Sequence, residues 1–230
     1  MDCYYYNSCK SRQCDEGGCV SCMRQFKLDF LLDKSLLPEA QKYDIRLFAE
    51  DIDEKSYNEL GEIRKNIKSF VQGGNNLYIY SNIPGNGKTS WAIKLMKEYL
   101  YKIWPEAQMT CKVLFINVPK FLLALKANIS KQSDYISYIN EFVNDVDLVV
   151  WDDIGTKSAT EFEHEHLLSI IDSRLIEGKS NIFTSNMNPE RLLELVGERL
   201  TSRIVNPSIQ IEFKGADKRG VRISDLLQNS

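Results

Sequence analysis

One glycine-rich loop restricts the possible folds of this chain more than any other feature of its sequence. The loop, NIPGNGKT, begins at Asn82 and joins the apolar run NLYIYS to the segment TSWAIKLMKEYL. The run predicts a short buried strand, and apolar residues recur at helical spacing along the segment. The order of strand, tight turn and helix is typical of α/β proteins.

Four further apolar runs predict strands in the rest of the chain. They are KVLFINV, DLVVWDD, NIFTSN and SIQIEF, and amphipathic helical stretches separate them. Strands that alternate with helices predict a parallel sheet, and the continuous run LVVW predicts a strand that is buried on both faces. Because ligands of such sheets bind at the carboxyl ends of the strands, we expect the functional site there.

The loop has the composition and the position of a phosphate-binding loop. Its backbone N–H groups and the start of the following helix would face phosphate oxygens, where the helix dipole adds about half a positive charge. Lys88, which we expect to be exposed in the loop, would bridge the β- and γ-phosphates, and the Thr89 hydroxyl would bind Mg²⁺. We therefore predict that ATP or a close relative is bound by Pro84, Gly85, Asn86, Gly87, Lys88, Thr89 and Ser90.

Asn82 stands where a loop of this kind normally begins with glycine. Asparagine enters the positive-φ region more readily than most other residues that carry a side chain. The position also lies at the exit of the strand rather than against the phosphates. We therefore expect the loop to tolerate Asn82 and to keep its function.

Two carboxylates end the predicted strand DLVVWDD. Asp152 would reach the Mg²⁺ ion, and Asp153 would face the water that attacks the γ-phosphate. Aspartate is shorter than the glutamate often found at the second position, so we expect slow hydrolysis. The next strand, NIFTSN, ends in Asn186, whose amide would orient the same water, although asparagine at a strand exit is more often a turn former.

Five of the six cysteines fall within the first 22 residues. In a reducing compartment such clustering favours a metal over disulfides. We predict a tetrahedral Zn²⁺ site that supplies the folding energy of a segment too short for a core, with Cys3 to spare. Its ligands would be Cys9, Cys14, Cys19 and Cys22. Free thiols in an unstructured tail, or adventitious disulfides, are the alternative.

Changes of periodicity divide the chain into three regions. We predict a cysteine-rich, zinc-binding head over residues 1–23, a helical lead-in over residues 24–74 and a nucleotide-binding ATPase domain over residues 75–230. Apolar residues of the lead-in recur at helical spacing at Tyr57, Leu60, Ile63, Ile67 and Val71. With 43% hydrophobic residues, the 230-residue chain can bury one substantial core.

The net charge of −3 excludes binding of nucleic acid through bulk positive charge. A local basic track is compatible with this total, and Lys120, Lys126 and Lys131 are candidates for contacts with single-stranded DNA. Lysines beside FLLAL are, however, more often the polar edge of an amphipathic helix. Since no apolar run spans a bilayer and the first residues lack the features of a signal peptide, we expect a cytoplasmic protein without membrane contact.

The segments GNGKT, VVWDDIG, TSN and GERLTSRI together resemble the pattern of the AAA+ ATPases. Over residues 24–225 the chain is similar to bacterial and phage replicative-helicase loaders of the DnaC/DnaI type. The resemblance implies a five-stranded parallel sheet in the order 5-1-4-3-2, with ATP and Mg²⁺ as ligands. It also implies self-assembly through the ATP site, with a hexameric DnaB-family replicative helicase and single-stranded DNA as partners.

The same resemblance implies roles for one asparagine and several arginines. Asn186 matches sensor 1 of the family. Arg203 matches the arginine finger that one subunit supplies to the nucleotide of its neighbour, with Arg199 as the second candidate. Arg219 falls where a sensor 2 arginine acts in cis, with Arg222 close behind. A solvated surface position is the alternative for each arginine.

These expectations describe an ATP-dependent loader that delivers a hexameric helicase onto DNA, with ATP as a switch and slow, regulatory hydrolysis. A transposition ATPase of the IstB type, which would act on a transposase and duplex DNA, shares nearly the same core and is the first alternative. A nucleotide-binding adaptor or inhibitor without useful hydrolysis is the second, and Asn82 and Asp153 are consistent with it.

Overall fold

The computed structural model describes residues 20–42, 47, 51–128, 132–155 and 160–218. The helices are Val20–Asp33 (α1), Glu39–Lys42 (α2), Glu54–Lys65 (α3), Ile67–Gln72 (α4), Lys88–Ile103 (α5), Val118–Asn128 (α6), Asp134–Phe142 (α7), Glu161–Ile176 (α8) and Pro189–Val205 (α9). The strands are Asn76–Tyr80 (β1), Val113–Asn117 (β2), Leu148–Asp152 (β3), Ser180–Ser185 (β4) and Ser208–Glu212 (β5). Within the described ranges no helix has both the length and the apolar character needed to cross a membrane.

The five strands of the described ranges form one parallel sheet in the order β2-β3-β4-β1-β5. This is the order 5-1-4-3-2 counted from the opposite edge, so the expected α/β fold is confirmed. Every residue of β3 and of β4 is buried, as the apolar run LVVW predicts for a strand that is covered on both faces.

Two apolar layers cover the faces of the sheet. Helices α1, α3, α4 and α5 pack on one face, against strand residues such as Leu77 and Val150. Helices α6, α7, α8 and α9 pack on the other, against residues such as Tyr78 and Trp151. Neighbouring residues of one strand face opposite layers because side chains alternate along a strand. The carboxyl ends of all these parallel strands lie on the same side of the sheet, and the loops that follow them carry the candidate site.

The helical lead-in packs into this same core. Leu31 of α1 is fully buried in the apolar layer that contains α5. The turn after α1 also covers an edge of the sheet, because the backbone N–H of Phe115 in β2 donates to the carbonyl of Ser35 at 2.7 Å. Helix α1 begins at Val20, so the boundary predicted after residue 23 falls inside this helix.

A buried arginine connects α8 to the starts of β3 and β4. Arg174 is 0% exposed. Its guanidinium donates to the carbonyls of Ser180 at 2.7 Å, of Val146 at 3.1 Å and of Val143, and to Oδ1 of Asn181 at 2.8 Å. Burial lowers the pKa of Arg174 to about 9, so the guanidinium remains charged at neutral pH. Its charge is stabilised by these four oxygen acceptors, which fix the helix to the sheet.

We expect Arg174→Ala to lower the free energy of unfolding by about 3–5 kcal/mol, because it leaves buried carbonyls without their donors. The matched control is Arg64→Ala, which removes a partly exposed arginine 3.8 Å from Glu98 and should change stability by less than about 1 kcal/mol. Urea denaturation followed by circular dichroism measures both. Equal unfolding midpoints for Arg174→Ala and the parent would contradict this role.

Candidate nucleotide-binding site

The loop of residues 82–89, here called the phosphate loop, follows a backbone path that its glycines permit. Gly85 and Gly87 have φ angles of 75° and 104°, which residues with a side chain rarely adopt. Helix α5 begins at Lys88, within the last two residues of the loop, with Gly87 as its N-terminal cap. The first N–H groups of α5 have no partner within the helix, and this is the geometry in which helix starts bind phosphate.

Asn82 does not adopt the positive φ that asparagine tolerates. Among the described residues, the only ones with a side chain and positive φ are Leu36 and Asp153. Asn82 is exposed at the exit of β1, and the chain makes its positive-φ turns later, at Gly85 and Gly87. The position normally held by glycine therefore does not need glycine's conformational freedom in this loop.

Lys88 is buried rather than exposed, in contrast to the expectation from the sequence. It is only 6% exposed. Its ammonium donates to the carbonyl of Ile83 at 3.0 Å and to Oδ1 of Asn86 at 3.2 Å. Both acceptors belong to the phosphate loop, so the ammonium is held within the loop.

Asn86 connects the phosphate loop to the segment that follows β5, residues 214–218, here called the tail segment. Asn86 is fully buried, and its side-chain amide donates to the carbonyl of Gly215 at 3.5 Å. A second bond joins the two segments, because the N–H of Lys218 donates to the carbonyl of Gly85 at 3.1 Å. The tail segment therefore lies against the phosphate loop.

Asp53, which precedes α3, anchors the tail segment. Its carboxylate is 1% exposed and accepts the backbone N–H groups of Lys214 at 2.7 Å and Gly215 at 3.0 Å. Hydrogen bonds to a charged acceptor are stronger than neutral ones, and here they satisfy a buried charge. The sequence analysis missed Asp53, since its partners lie 161 and 162 residues away and no spacing rule connects them.

An aromatic cluster lies beside the phosphate loop. The Tyr57 ring meets Trp91 edge-on at 5.2 Å between centroids and stacks on Phe213 at 5.5 Å. Lys218 of the tail segment places its ammonium 5.7 Å from the centre of the Tyr57 ring. A Cβ atom added to Gly87 would lie 3.6 Å from the Tyr57 hydroxyl, which shows how closely the cluster approaches the loop.

Asp152 accepts hydrogen bonds from three different elements. Its Oδ1 accepts from the hydroxyls of Thr89 at 2.7 Å and Thr184 at 2.8 Å, and its Oδ2 accepts from the amide of Asn117 at 3.3 Å. The two predicted Mg²⁺ ligands, Thr89 and Asp152, therefore contact each other, and hard oxygen atoms are the ligands that Mg²⁺ prefers. The sequence analysis missed Thr184 and Asn117, although both lie at the carboxyl ends of the strands that flank β3.

Asp153 has an unusual backbone conformation directly beside this carboxylate. Its φ is 62°, and its N–H donates to the Thr184 hydroxyl at 3.0 Å. Strained conformations of this kind cluster at functional sites, where the surrounding structure enforces them. The Asn186 amide donates to Oδ1 of Asp153 at 2.7 Å. The structure therefore brings together the two side chains that the sequence analysis assigned to the attacking water.

Within one chain, Arg203 and Arg199 lie away from the side chains around Asp152 and Asp153. Helices α8 and α9 pack on the face of the sheet opposite to α5. There Arg203 forms an ion pair with Asp172, and Arg199 forms one with Glu165 at 3.0 Å. Both partners belong to α8, so both arginines are held at the surface between α8 and α9.

Other predicted residues lie outside the described ranges: Cys3, Cys9, Cys14, Cys19, Lys131, Arg219 and Arg222. Cys22 is buried in α1, and no metal-binding cluster of His, Cys, Asp and Glu side chains forms within the described ranges. The zinc site therefore stays a prediction. Of the candidate DNA contacts, Lys120 places its ammonium 4.9 Å from the centre of the Tyr135 ring, and Lys126 lies in α6.

The strand order, together with a phosphate loop after the first strand, defines a P-loop protein of the AAA+ class. A comparison with family models agrees, because residues 22–209 match the family described as IstB-like ATP binding protein. The chain belongs to this ATP-binding family.

Comparisons with individual proteins show where the similarity lies. The chain is 26% identical over 151 residues to the replicative helicase loader DnaC of Escherichia coli strain K12. The aligned part is 66% of this chain and 58% of DnaC, so the chain spans little more than half the length of that relative.

Solved structures support the fold. The crystal structure of the DnaC helicase loader has a TM-score of 0.59 at 19% identity, and the match covers 80% of this chain and 98% of that one. The crystal structure of DnaI has a TM-score of 0.62 at 18% identity, with 78% and 96% covered.

We expect Asp53→Ala to release the tail segment from the phosphate loop. Because two backbone N–H groups lose a charged acceptor, hydrogen exchange at Lys214 and Gly215 should accelerate by about 10-fold or more, and ATP should bind more weakly. Asp51→Ala removes an exposed carboxylate two residues away and is the matched control. Hydrogen exchange and a fluorescent ATP analogue measure the two effects. Unchanged exchange in Asp53→Ala would contradict the anchoring role.

Proposed function

We propose that this chain is an ATP-dependent loader that delivers a hexameric replicative helicase onto DNA, with ATP as its switch. The observation that carries the proposal is the pairing of Asp153 with Asn186 beside the contact between Thr89 and Asp152. All four side chains lie at the carboxyl ends of the strands or at the start of α5, where a P-loop protein binds and hydrolyses its nucleotide. The similarity to DnaC supports a loader among the functions that use such a site.

The phosphate loop would bind the β- and γ-phosphates through its backbone N–H groups and the start of α5. Lys88 would exchange its present acceptors, the Ile83 carbonyl and the Asn86 side chain, for phosphate oxygens. Thr89 and Asp152 would hold Mg²⁺, which neutralises phosphate charge when it is bound. This exchange of partners gives ATP a direct effect on the conformation of the loop.

Hydrolysis would depend on Asp153 and Asn186. The carboxylate of Asp153 would accept the proton of the attacking water, and the Asn186 amide would hold that carboxylate or the water in place. The positive φ of Asp153 turns the chain sharply after β3, and the bond from its N–H to Thr184 stabilises that turn. Because aspartate is a short side chain at this position, we propose slow hydrolysis that serves regulation.

Assembly of several copies would complete the site. Arg203 is half exposed on the face of the sheet opposite to α5, so we propose that it acts on the ATP of a neighbouring copy. An arginine finger of this kind stabilises charge that develops only in the transition state. Arg219 is proposed as the arginine that senses ATP in the same chain.

The partners proposed for the loader are a DnaB-family helicase and single-stranded DNA. A Zn²⁺-stabilised head formed by the N-terminal cysteines would dock on the helicase, apart from the ATP site. A transposition ATPase that acts on a transposase and duplex DNA is the second candidate, and the match of residues 22–209 to the IstB-like family favours it.

We expect Asp153→Asn to bind ATP with unchanged affinity but to lose at least about 100-fold in turnover, because the amide keeps the volume of the side chain and cannot accept a proton. Single-turnover hydrolysis and equilibrium binding of a fluorescent ATP analogue measure the two properties. Glu177→Gln makes the same type of change at the end of α8 and is the control. Turnover of Asp153→Asn at the rate of the parent would remove Asp153 from the reaction.

We expect the tagged full-length chain to capture a DnaB-family helicase when ATP is present, and to release it when single-stranded DNA is added. Lys88→Ala lacks the cation for the phosphates, so the amount of helicase that it captures should be the same with and without ATP. A parallel capture with a transposase and duplex DNA tests the second candidate. Retention of the transposase but not of the helicase would contradict the loader.

A further inference from the structure

Two ion pairs join α8 to α9 on the face of the sheet opposite to α5. They connect Arg203 with Asp172 and Arg199 with Glu165. Asp172 and Glu165 lie seven residues apart in α8, and Arg203 and Arg199 lie four residues apart in α9. Residues at these spacings lie on the same side of a helix, so the two carboxylates face α9 and the two arginines face α8. Gly197, with φ of 80° and ψ of 168°, breaks α9 just before this arginine segment.

The two arginines are held by different nitrogen atoms. Asp172 accepts from Nε of Arg203, whereas Glu165 accepts from Nη1 of Arg199. Among the described residues, the two terminal NH₂ groups of Arg203 have no hydrogen-bond partner, although the Asp172 carboxylate accepts from the adjacent Nε. In Arg199 one of the two terminal groups is already engaged. The terminal groups are those that form paired bonds with phosphate oxygens.

The surroundings of Arg203 leave about half of its side chain accessible to solvent. Arg203 is 50% exposed and Asp172 is 37% exposed. A shallow cavity of about 90 Å³ lies at this surface and is lined by Leu168, Asp172, Arg199, Ser202 and Arg203. Ion pairs with this much exposure contribute little to folding stability. The effect of this contact on the Arg203 side chain is therefore more important than its effect on stability. The contact restricts the rotamers of a long side chain before any partner arrives.

We propose that Asp172 is a positioning residue for Arg203, and that it prepares this arginine to act in the ATP site of a neighbouring copy. The inference rests on the proposed function, because it requires that copies assemble through the ATP site. By holding Nε, the carboxylate orders the side chain in advance and directs the terminal groups outward. A side chain that is ordered beforehand loses less freedom in the transition state, so turnover in the neighbour is faster.

Hydrolysis by the full-length chain, measured over a range of protein concentrations, tests the proposal. We expect Asp172→Ala to lower kcat at the concentrations that support assembly by about 10-fold, with an unchanged KM for ATP and an unchanged unfolding midpoint. Asp172→Asn should recover most of the loss, because its amide oxygen can still accept from Nε. Glu165→Ala removes the equivalent partner of Arg199 and should stay within about 2-fold of the parent.

Mixed assemblies distinguish an effect on the neighbour from an effect within one chain. Lys88→Ala carries an intact Asp172 and Arg203 but lacks the lysine of the phosphate loop. When it is mixed with Asp172→Ala, we expect turnover per intact ATP site to rise toward that of the parent. A mixture with no more turnover than Asp172→Ala alone would overturn the action in trans.

The remaining outcomes separate this inference from the function on which it rests. A parent whose turnover never depends on protein concentration would overturn the proposed assembly, and the inference with it. If the turnover of the parent does depend on protein concentration but Asp172→Ala has the same turnover as the parent, the inference alone is overturned. A faster Asp172→Ala would also overturn it, since the carboxylate would then restrain the arginine. A loss confined to Glu165→Ala would transfer the role to Arg199.

Discussion

The carboxylate of Asp152 is the point on which the candidate site depends. Its two oxygens accept from side chains of α5, β4 and β2, while the residue itself ends β3. One buried charge therefore sets the relative positions of the helix that would bind phosphate and of three neighbouring strands. Thr184 extends this arrangement, because its hydroxyl donates to Asp152 and accepts from the N–H of Asp153. The turn that carries the second carboxylate is thereby held to the first.

Much of the fold could be predicted because the relevant signals are local. The apolar runs that predicted five strands coincide with β1 to β5, and the glycines of GNGKT adopt the conformations that a phosphate loop requires. The strand order came from a resemblance to a known family, since periodicity indicates which segments are strands but not which strands are neighbours. Asp152, Asp153 and Asn186 could be placed near one another because parallel strands end at a common edge.

Other features could not be predicted because they depend on contacts between distant segments. Asp53 anchors residues that follow β5, and no spacing in the sequence indicates that pairing. The burial of Lys88 results from acceptors within its own loop, whereas the sequence analysis considered only its bonds to phosphate. Asn82 was judged by the residue usual at its position, but backbone geometry depends on the whole loop. The arginines could be found by resemblance, yet their carboxylate partners in α8 could not.

The turn between α1 and α2 has a consequence for how copies of this chain can meet. An open edge strand can pair with a strand from another molecule and so extend the sheet without limit. At β2 the middle of that edge is occupied, because the Ser35 carbonyl accepts the N–H of Phe115. The Tyr138 hydroxyl of α7 donates to the Lys34 carbonyl at 2.8 Å and holds the same turn in place. The lead-in therefore protects the chain against edge-to-edge aggregation at β2. Copies can then meet at this side only through helix surfaces, which form reversible contacts. Removal of the lead-in would expose the backbone of β2 to pairing with strands of other molecules.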